Sequence, residues 1–161
     1  MLTQRLTVDL KENLKENLKE NLTGDYTAKY ADARPELLPA LTLAYIGDGY
    51  YELVVRNLLL KRGCRKVEEL HKAAISLVRA GMQARLARAL EPELNEQERS
   101  VLHRGRNTRG LHVPKGATVQ EYRAATGMEA LVGFWYLRGD QQRLERCFEV
   151  LYTLWEGKDN A

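Results

Sequence analysis

The 161-residue chain has little of what several protein classes require. It has two cysteines, Cys64 and Cys147, and neither has a second Cys or His at metal-ligand spacing. That argues against a zinc site, and a disulfide framework is not needed at this size; both are read as reduced, structural thiols. No stretch approaches the roughly 18 uncharged apolar residues of a membrane span. The N-terminal segment MLTQRLTVDLKENL has no apolar signal core. No membrane partner is therefore expected, and the expected location is cytoplasmic. There is no convincing alternating strand pattern, no glycine-rich phosphate loop and no dinucleotide-binding pattern. The three histidines, His71, His103 and His112, form no ligand pair on one helix face and read as surface residues rather than general bases.

What is present points to helices around one core. Hydrophobic residues make up 44% of the chain and charged residues 29%, enough for one buried core and a solvated surface. The net charge of +3 is unevenly spread. Between Lys61 and Lys115 there are 13 basic and 6 acidic residues, a local excess of +7, so the rest of the chain is net negative. A basic middle is what a polyanion-binding face requires; an ordinary solvated surface can have the same composition.

Two regions follow from the pattern. Residues 1–34 form an extension in which KENL repeats three times, with leucines at positions 6, 10, 14, 18 and 22. This spacing gives a stripe that drifts about 40° per step around a helix. The repeat also stacks like charges four residues apart, which opposes helix. The extension reads as an amphipathic segment, partly helical or disordered. Residues 35–161 form the main domain. A helix is expected from Leu41 to Leu60, broken or bent at Gly47-Asp48-Gly49 and closed by Lys61-Arg62-Gly63. A long helix is expected from about Val67 to Leu90. Asn95 with Glu98, and Thr118 with Glu121, form capping boxes that open two more helices. Gly139 ends the second of these, and Asp140 caps a last helix. The fold class is all-α.

Two of these segments break the usual rule for buried helices. Asp48 and Glu129 each place one carboxylate in an apolar, glycine-containing run. Such a group must be neutralised, hydrogen-bonded or paired. Two carboxylates brought together from separate helices would repel unless a cation sat between them, and all-oxygen ligation suits magnesium. Structural readings stay open at this point: Asp48 as a helix cap, Glu129 in a buried pair with an arginine.

The run from Leu43 to Leu53, LAYIGDGYYEL, resembles the signature helix of the ribonuclease III family. The run from Glu129 to Leu137, EALVGFWYL, resembles that family's second metal-binding helix. Glu69 to Val78 is similar to the joining segment. Arg104-Gly-Arg-Asn107, Val113-Pro-Lys115 and Gln120-x-Tyr-Arg123 bring the chain nearest to the Mini-ribonuclease III branch. The resemblance covers roughly residues 37–155. It implies a ribonuclease III endonuclease-domain-like helical bundle and a homodimer with one Mg2+-dependent site per subunit, cutting double-stranded RNA. It also implies a role in maturing precursor ribosomal RNA of the large subunit. Asp48 matches the catalytic aspartate and Glu129 the metal-binding glutamate; Glu69 stands where the family has an accessory acid. Ala44, Leu41 and Thr126 stand where full-length relatives carry further acids, as in the Mini branch. No separate RNA-binding domain is expected, so Arg104, Arg106, Asn107, Arg109 and Lys115 are the expected RNA contacts. The alternatives are a catalytically inactive, ribonuclease III-like RNA-binding protein and an unrelated helical magnesium phosphohydrolase.

Overall fold

A computed structural model describes residues 34–108 and 112–159. The KENL extension and Arg109 lie outside the described residues. The described residues run through six helices: α1 (Ala40–Lys61), α2 (Val67–Val78), α3 (Ala80–Leu90), α4 (Glu96–Arg106), α5 (Val119–Arg138) and α6 (Gln141–Asp159). Short 3-10 turns at Pro35–Leu37 and Glu91–Glu93 precede α1 and α4. The described residues contain no strand, in keeping with the all-α expectation.

Helix ends follow local chemistry. Asn95 and Thr118 each accept a hydrogen bond from the backbone N–H three residues on, and Glu98 and Glu121 return one, so both capping boxes form. Asp140 accepts from the backbone N–H of Arg143 and caps α6. Gly139 ends α5 in the left-handed conformation at φ 67°.

Two expectations fail. The stretch from Val67 to Leu90 is not one helix. It breaks at Arg79, whose ψ of 148° is extended and which serves as C-cap of α2 and N-cap of α3. The break orphans carbonyls at the end of α2, and the buried Tyr51 hydroxyl donates to one of them, Leu77 O, at 3.0 Å. Apolar periodicity runs through both helices, so pattern alone could not mark the break. Conversely, α1 is continuous through Gly47-Asp48-Gly49. Gly47 serves close helix packing there and not a bend.

Helix α5 is the hub, packed chiefly on α1, α4 and α3. From Ala125 to Trp135 every residue but Glu129 is buried, and Leu137 extends that run. Two glycine pairs let α5 approach its neighbours backbone to backbone. A Cβ on Gly47 would lie 1.8 Å from the Glu129 carbonyl oxygen, and one on Gly133 would lie 2.0 Å from the Leu43 carbonyl oxygen. On the other side, a Cβ on Gly105 would fall 2.7 Å from Gly127 Cα. Glu129 thus sits between two crossings that no larger residue could make.

A buried polar network fixes α4 to α5 and α6. Glu98, 2% exposed, accepts from Trp135 Nε1 at 2.9 Å and pairs with Arg143 at 2.7 Å. Cys147 is fully buried and Cys64 half-buried, and both are free.

Candidate active site

The Gly47–Gly133 crossing decides where the two acids fall. Asp48 follows Gly47 on the exposed side of α1 and Glu129 lies half-buried on α5, one turn before Gly133. Each carboxylate responds to its surroundings as this placement requires. Burial pushes the Glu129 carboxyl up to about 7, and the charge of Asp48 pushes in the same direction. Partial burial also raises Asp48, with the charge of Glu52 adding to it. Arg56 opposes that shift, but its guanidinium is engaged by Glu52 at 2.6 Å. Asp48 thus lies within electrostatic reach of Glu129, and the ion pairs described around them do not include either one.

A structural cap or a buried arginine pair was the alternative for these residues. Neither is found among the described residues: Asp48 lies within α1, eight residues after its start, and the neighbour of Glu129 on α3 is the neutral amide of Gln83. Two carboxylates held together without a counter-charge are a donor set that suits a hard divalent cation. Among the described residues, no group of three His, Cys, Asp or Glu side chains gathers to hold a metal. A cation at Asp48 and Glu129 would thus keep positions for water or for substrate oxygens. Glu69 does not join them. It is exposed in the first turn of α2, 3.9 Å from Lys66.

The basic residues divide in two. Lys115 lines a cleft with Arg79, Arg85 and Arg88, around Glu121. An adjoining cleft shares Arg88 and Glu121 and is lined by Arg106, Asn107 and Arg123. Hydrogen bonds from the Thr118 backbone and hydroxyl hold Glu121 below the usual carboxylate range, aided by Arg79 and Arg88. Both clefts follow the seam between α3 and α5. Glu121 precedes Glu129 by eight residues on α5, about 12 Å along the axis. Arg104 is not part of this surface. Its guanidinium donates to the carbonyl oxygens of Leu38 at 3.0 Å and Glu36 at 3.2 Å, tying the Pro35–Leu37 turn to α4.

Sequence reasoning missed Arg79, Arg85 and Arg88 as cleft residues and Gln83 as a neighbour of Glu129. Arg85 and Arg88, three apart on one helix, share a face. That signal was available, whereas Arg79 joins them only because the helix breaks there. Gln83 gave no signal, since a lone Gln among apolar residues reads as surface.

The aromatic residues near the acids also separate. Tyr50, Tyr51 and Trp135 belong to the core, and Tyr136 stacks on Tyr50 with ring centroids 4.7 Å apart. Tyr45 is 82% exposed. Leu60, Val67 and Ile75, also exposed, line a groove between α1 and α2 together with Glu52, Arg56 and His71.

Comparison with known proteins places the chain in a family. The model of the Ribonuclease III domain matches residues 41–140. The Mini-ribonuclease 3 of Desulfitobacterium hafniense is 56% identical over 110 residues, covering 68% of this chain and 69% of that protein. The Mini-ribonuclease 3 of Symbiobacterium thermophilum is 49% identical over 118 residues, covering 73% of this chain and 91% of that protein. A crystal structure of a protein from Fusobacterium nucleatum superposes with a TM-score of 0.67 at 27% identity, covering 79% of this chain and 98% of that one. The matched region contains both acids and the glycine crossing between them, and on these grounds the chain belongs to the ribonuclease III family, among its Mini-ribonuclease 3 members.

Proposed function

We propose that this protein is an endoribonuclease that hydrolyses phosphodiester bonds of double-stranded RNA with Mg2+, working as a homodimer in the cytoplasm. The observation that carries this reading is the Gly47–Gly133 crossing of α1 and α5, which sets Asp48 beside Glu129, while a basic cleft follows the seam of α5 with α3. Asp48 and Glu129 are the residues that would hold the cation. Bound there, a divalent cation supplies positive charge to the scissile phosphate and acidifies water. The chain's own residues supply the rest. Burial at the crossing fixes the Glu129 carboxylate, and the glycine pair fixes the spacing of the two helices. Arg79, Arg85, Arg88 and Lys115 offer phosphate contacts, joined by Arg106 and Asn107 from the adjoining cleft. An A-form duplex is recognised by shape, phosphates and 2′-hydroxyls, so a basic cleft without base-reading side chains suits it. We place Arg109 with these contacts because it lies in the same loop sequence. Arg104 contributes through the fold, and Glu69 is at most an accessory acid.

Each site cuts one strand, so a cut through both strands calls for two sites related by a two-fold axis. The apolar surface of α1 and α2 supports a second copy as its cover. Val67 is 78% exposed and Ile75 52%, and the groove between them is lined by Leu60, Leu70, Ala74 and Val78. No described helix is long and apolar enough to cross a membrane. Precursor ribosomal RNA of the large subunit is the proposed natural substrate, following the Mini-ribonuclease 3 resemblance.

The test is incubation of a perfect RNA duplex with the protein and Mg2+, beside Asp48→Asn. Cleavage by the wild type and none by the variant, with duplex binding kept, is the expected result. Equal cleavage by both would remove Asp48 from the site. Binding without cleavage by the wild type would favour an inactive RNA-binding protein.

A further inference from the structure

Among the described residues, a single carboxylate lines the cleft of Arg79, Arg85, Arg88 and Lys115, that of Glu121. Glu121 lies in the first turn of α5 and also lines the adjoining cleft that holds Arg106 and Asn107. Its two oxygens are used differently. Oε2 closes the capping box, accepting from the Thr118 backbone N–H at 3.0 Å and from the Thr118 hydroxyl at 3.1 Å. Oε1 accepts no hydrogen bond from any described residue. It stands by Gly81 on the α3 wall, 3.2 Å from where a Cβ on that glycine would lie. Nor is Oε1 shut away from solvent, since the enclosed side-chain atoms without a partner among the described residues are Tyr50 Oη and Gln83 Oε1. Arg79 and Arg88 are within electrostatic reach of Glu121, yet none of the described ion pairs joins it to a cation of the cleft.

A carboxylate accepts hydrogen bonds and donates none, so it cannot bind a phosphate. In a cleft built for a polyanion it weakens binding unless the ligand brings a donor to it. The sugar–phosphate backbone of RNA offers one kind of donor, the 2′-hydroxyl, and the minor groove of an A-form duplex displays these hydroxyls along its length. We propose that Glu121 is a specificity-determining residue that recognises ribose: its free Oε1 accepts a hydrogen bond from a 2′-hydroxyl while the surrounding cations hold the neighbouring phosphates. This rests on the duplex-RNA reading of the cleft above. The capping box grips the carboxylate by its other oxygen, so the acceptor is in place before the duplex arrives. The Thr118 bonds and the nearby arginines keep the group ionised, and an ionised acceptor makes the stronger hydrogen bond.

The test is binding of the full-length protein, in EDTA to prevent cleavage, to two RNA duplexes of one sequence. One is all-ribose; the other is 2′-fluoro throughout, which keeps the A-form and removes every 2′-donor. Wild type and Glu121→Gln are compared. Gln can still complete the capping box with its oxygen, which turns the atom left facing the cleft from an acceptor into a donor. We expect wild type to bind the ribose duplex about 10-fold more tightly than the fluoro duplex. Glu121→Gln should bind the two about equally and melt at the wild-type temperature. A role through charge alone would tighten both duplexes by the same factor and leave their ratio unchanged. That result, or equal affinity of wild type for both duplexes, would overturn this proposal and leave the nuclease reading intact. Binding of neither duplex by wild type would overturn the RNA reading and this proposal with it. Inosine in place of guanosine removes the base donor of the minor groove and should leave wild-type affinity unchanged; a loss as large as with the fluoro duplex would assign Oε1 to a base edge and overturn the ribose reading. If Glu121→Gln fails to fold, Glu121→Ala takes its place with the same loss of discrimination expected; failure of both to fold would leave Glu121 a helix cap alone and overturn the proposal.

Discussion

Glu98 and Glu129 are the same residue in two kinds of surroundings. Glu98 lies on α4, 2% exposed, and has a donor for each oxygen: the Asn95 backbone, the Trp135 indole and the Arg143 guanidinium. Glu129 lies on α5, outside the described ion pairs, with the neutral Gln83 amide and the charge of Asp48 beside it. One carboxylate is satisfied by the protein and ties three helices together. The other is left short of positive charge, and the fold bears the cost. The difference separates a structural acid from a site acid more clearly than burial does, because both are withdrawn from water.

Cleavage should show the contrast most strongly. Asp48→Asn or Glu129→Gln should lower duplex cleavage by at least about 10³-fold, since each removes a charge from the proposed cation site. Glu98→Gln in folded protein should lower it little, as measured in single-turnover assays on one duplex. Stability should show the opposite ranking. Glu98→Gln should destabilise by about 2–3 kcal/mol, less than for a fully buried pair because Arg143 is 29% exposed.

The same substitution at Glu129 should stabilise the protein at alkaline pH in EDTA. A carboxyl whose folded pKa is raised from 4.5 to about 7 binds its proton more tightly in the folded state. Its contribution to stability is present below the unfolded value and is lost as pH rises through the folded one, roughly 3 kcal/mol in all. Wild-type melting temperature in EDTA should therefore fall between about pH 5 and pH 8, whereas that of Glu129→Gln should be flatter. A parallel pH profile for the two proteins would erase the distinction from Glu98. The smallest effects belong to the basic residues. Arg88→Ala and Lys115→Ala should each weaken duplex binding and reduce the salt slope by about 0.7–0.9, whereas Arg104→Ala should leave the slope unchanged and lower the melting temperature slightly. An equal loss of slope in Arg104→Ala would return that residue to the RNA surface.

Much of this contrast was legible in the sequence. The capping boxes at Asn95 and Thr118 and the glycine stop at position 139 depend on neighbours within a few residues, so local chemistry settles them. Asp48 and Glu129 stood out because an acid in an apolar, glycine-containing run conflicts with its surroundings. Their convergence could not be read locally, since it depends on Gly47 meeting Gly133 across α1 and α5. The same long-range contact explains why Gly47 leaves α1 unbent. The anchoring of Arg104 could not be read locally, because the carbonyls of Glu36 and Leu38 that accept from it are more than sixty residues away. Gln83 was invisible for the same reason, because its neighbour Glu129 lies on a different helix.

The central claim is that the carboxylates of Asp48 and Glu129 share one divalent cation. Anomalous diffraction from crystals soaked in Mn2+ tests it most directly. The account predicts a peak at the Gly47–Gly133 crossing bridged by oxygens of both side chains, and its loss in Glu129→Gln crystals. A crossing without a peak, or Mn2+ bound elsewhere while the two carboxylates remain unligated, would contradict it.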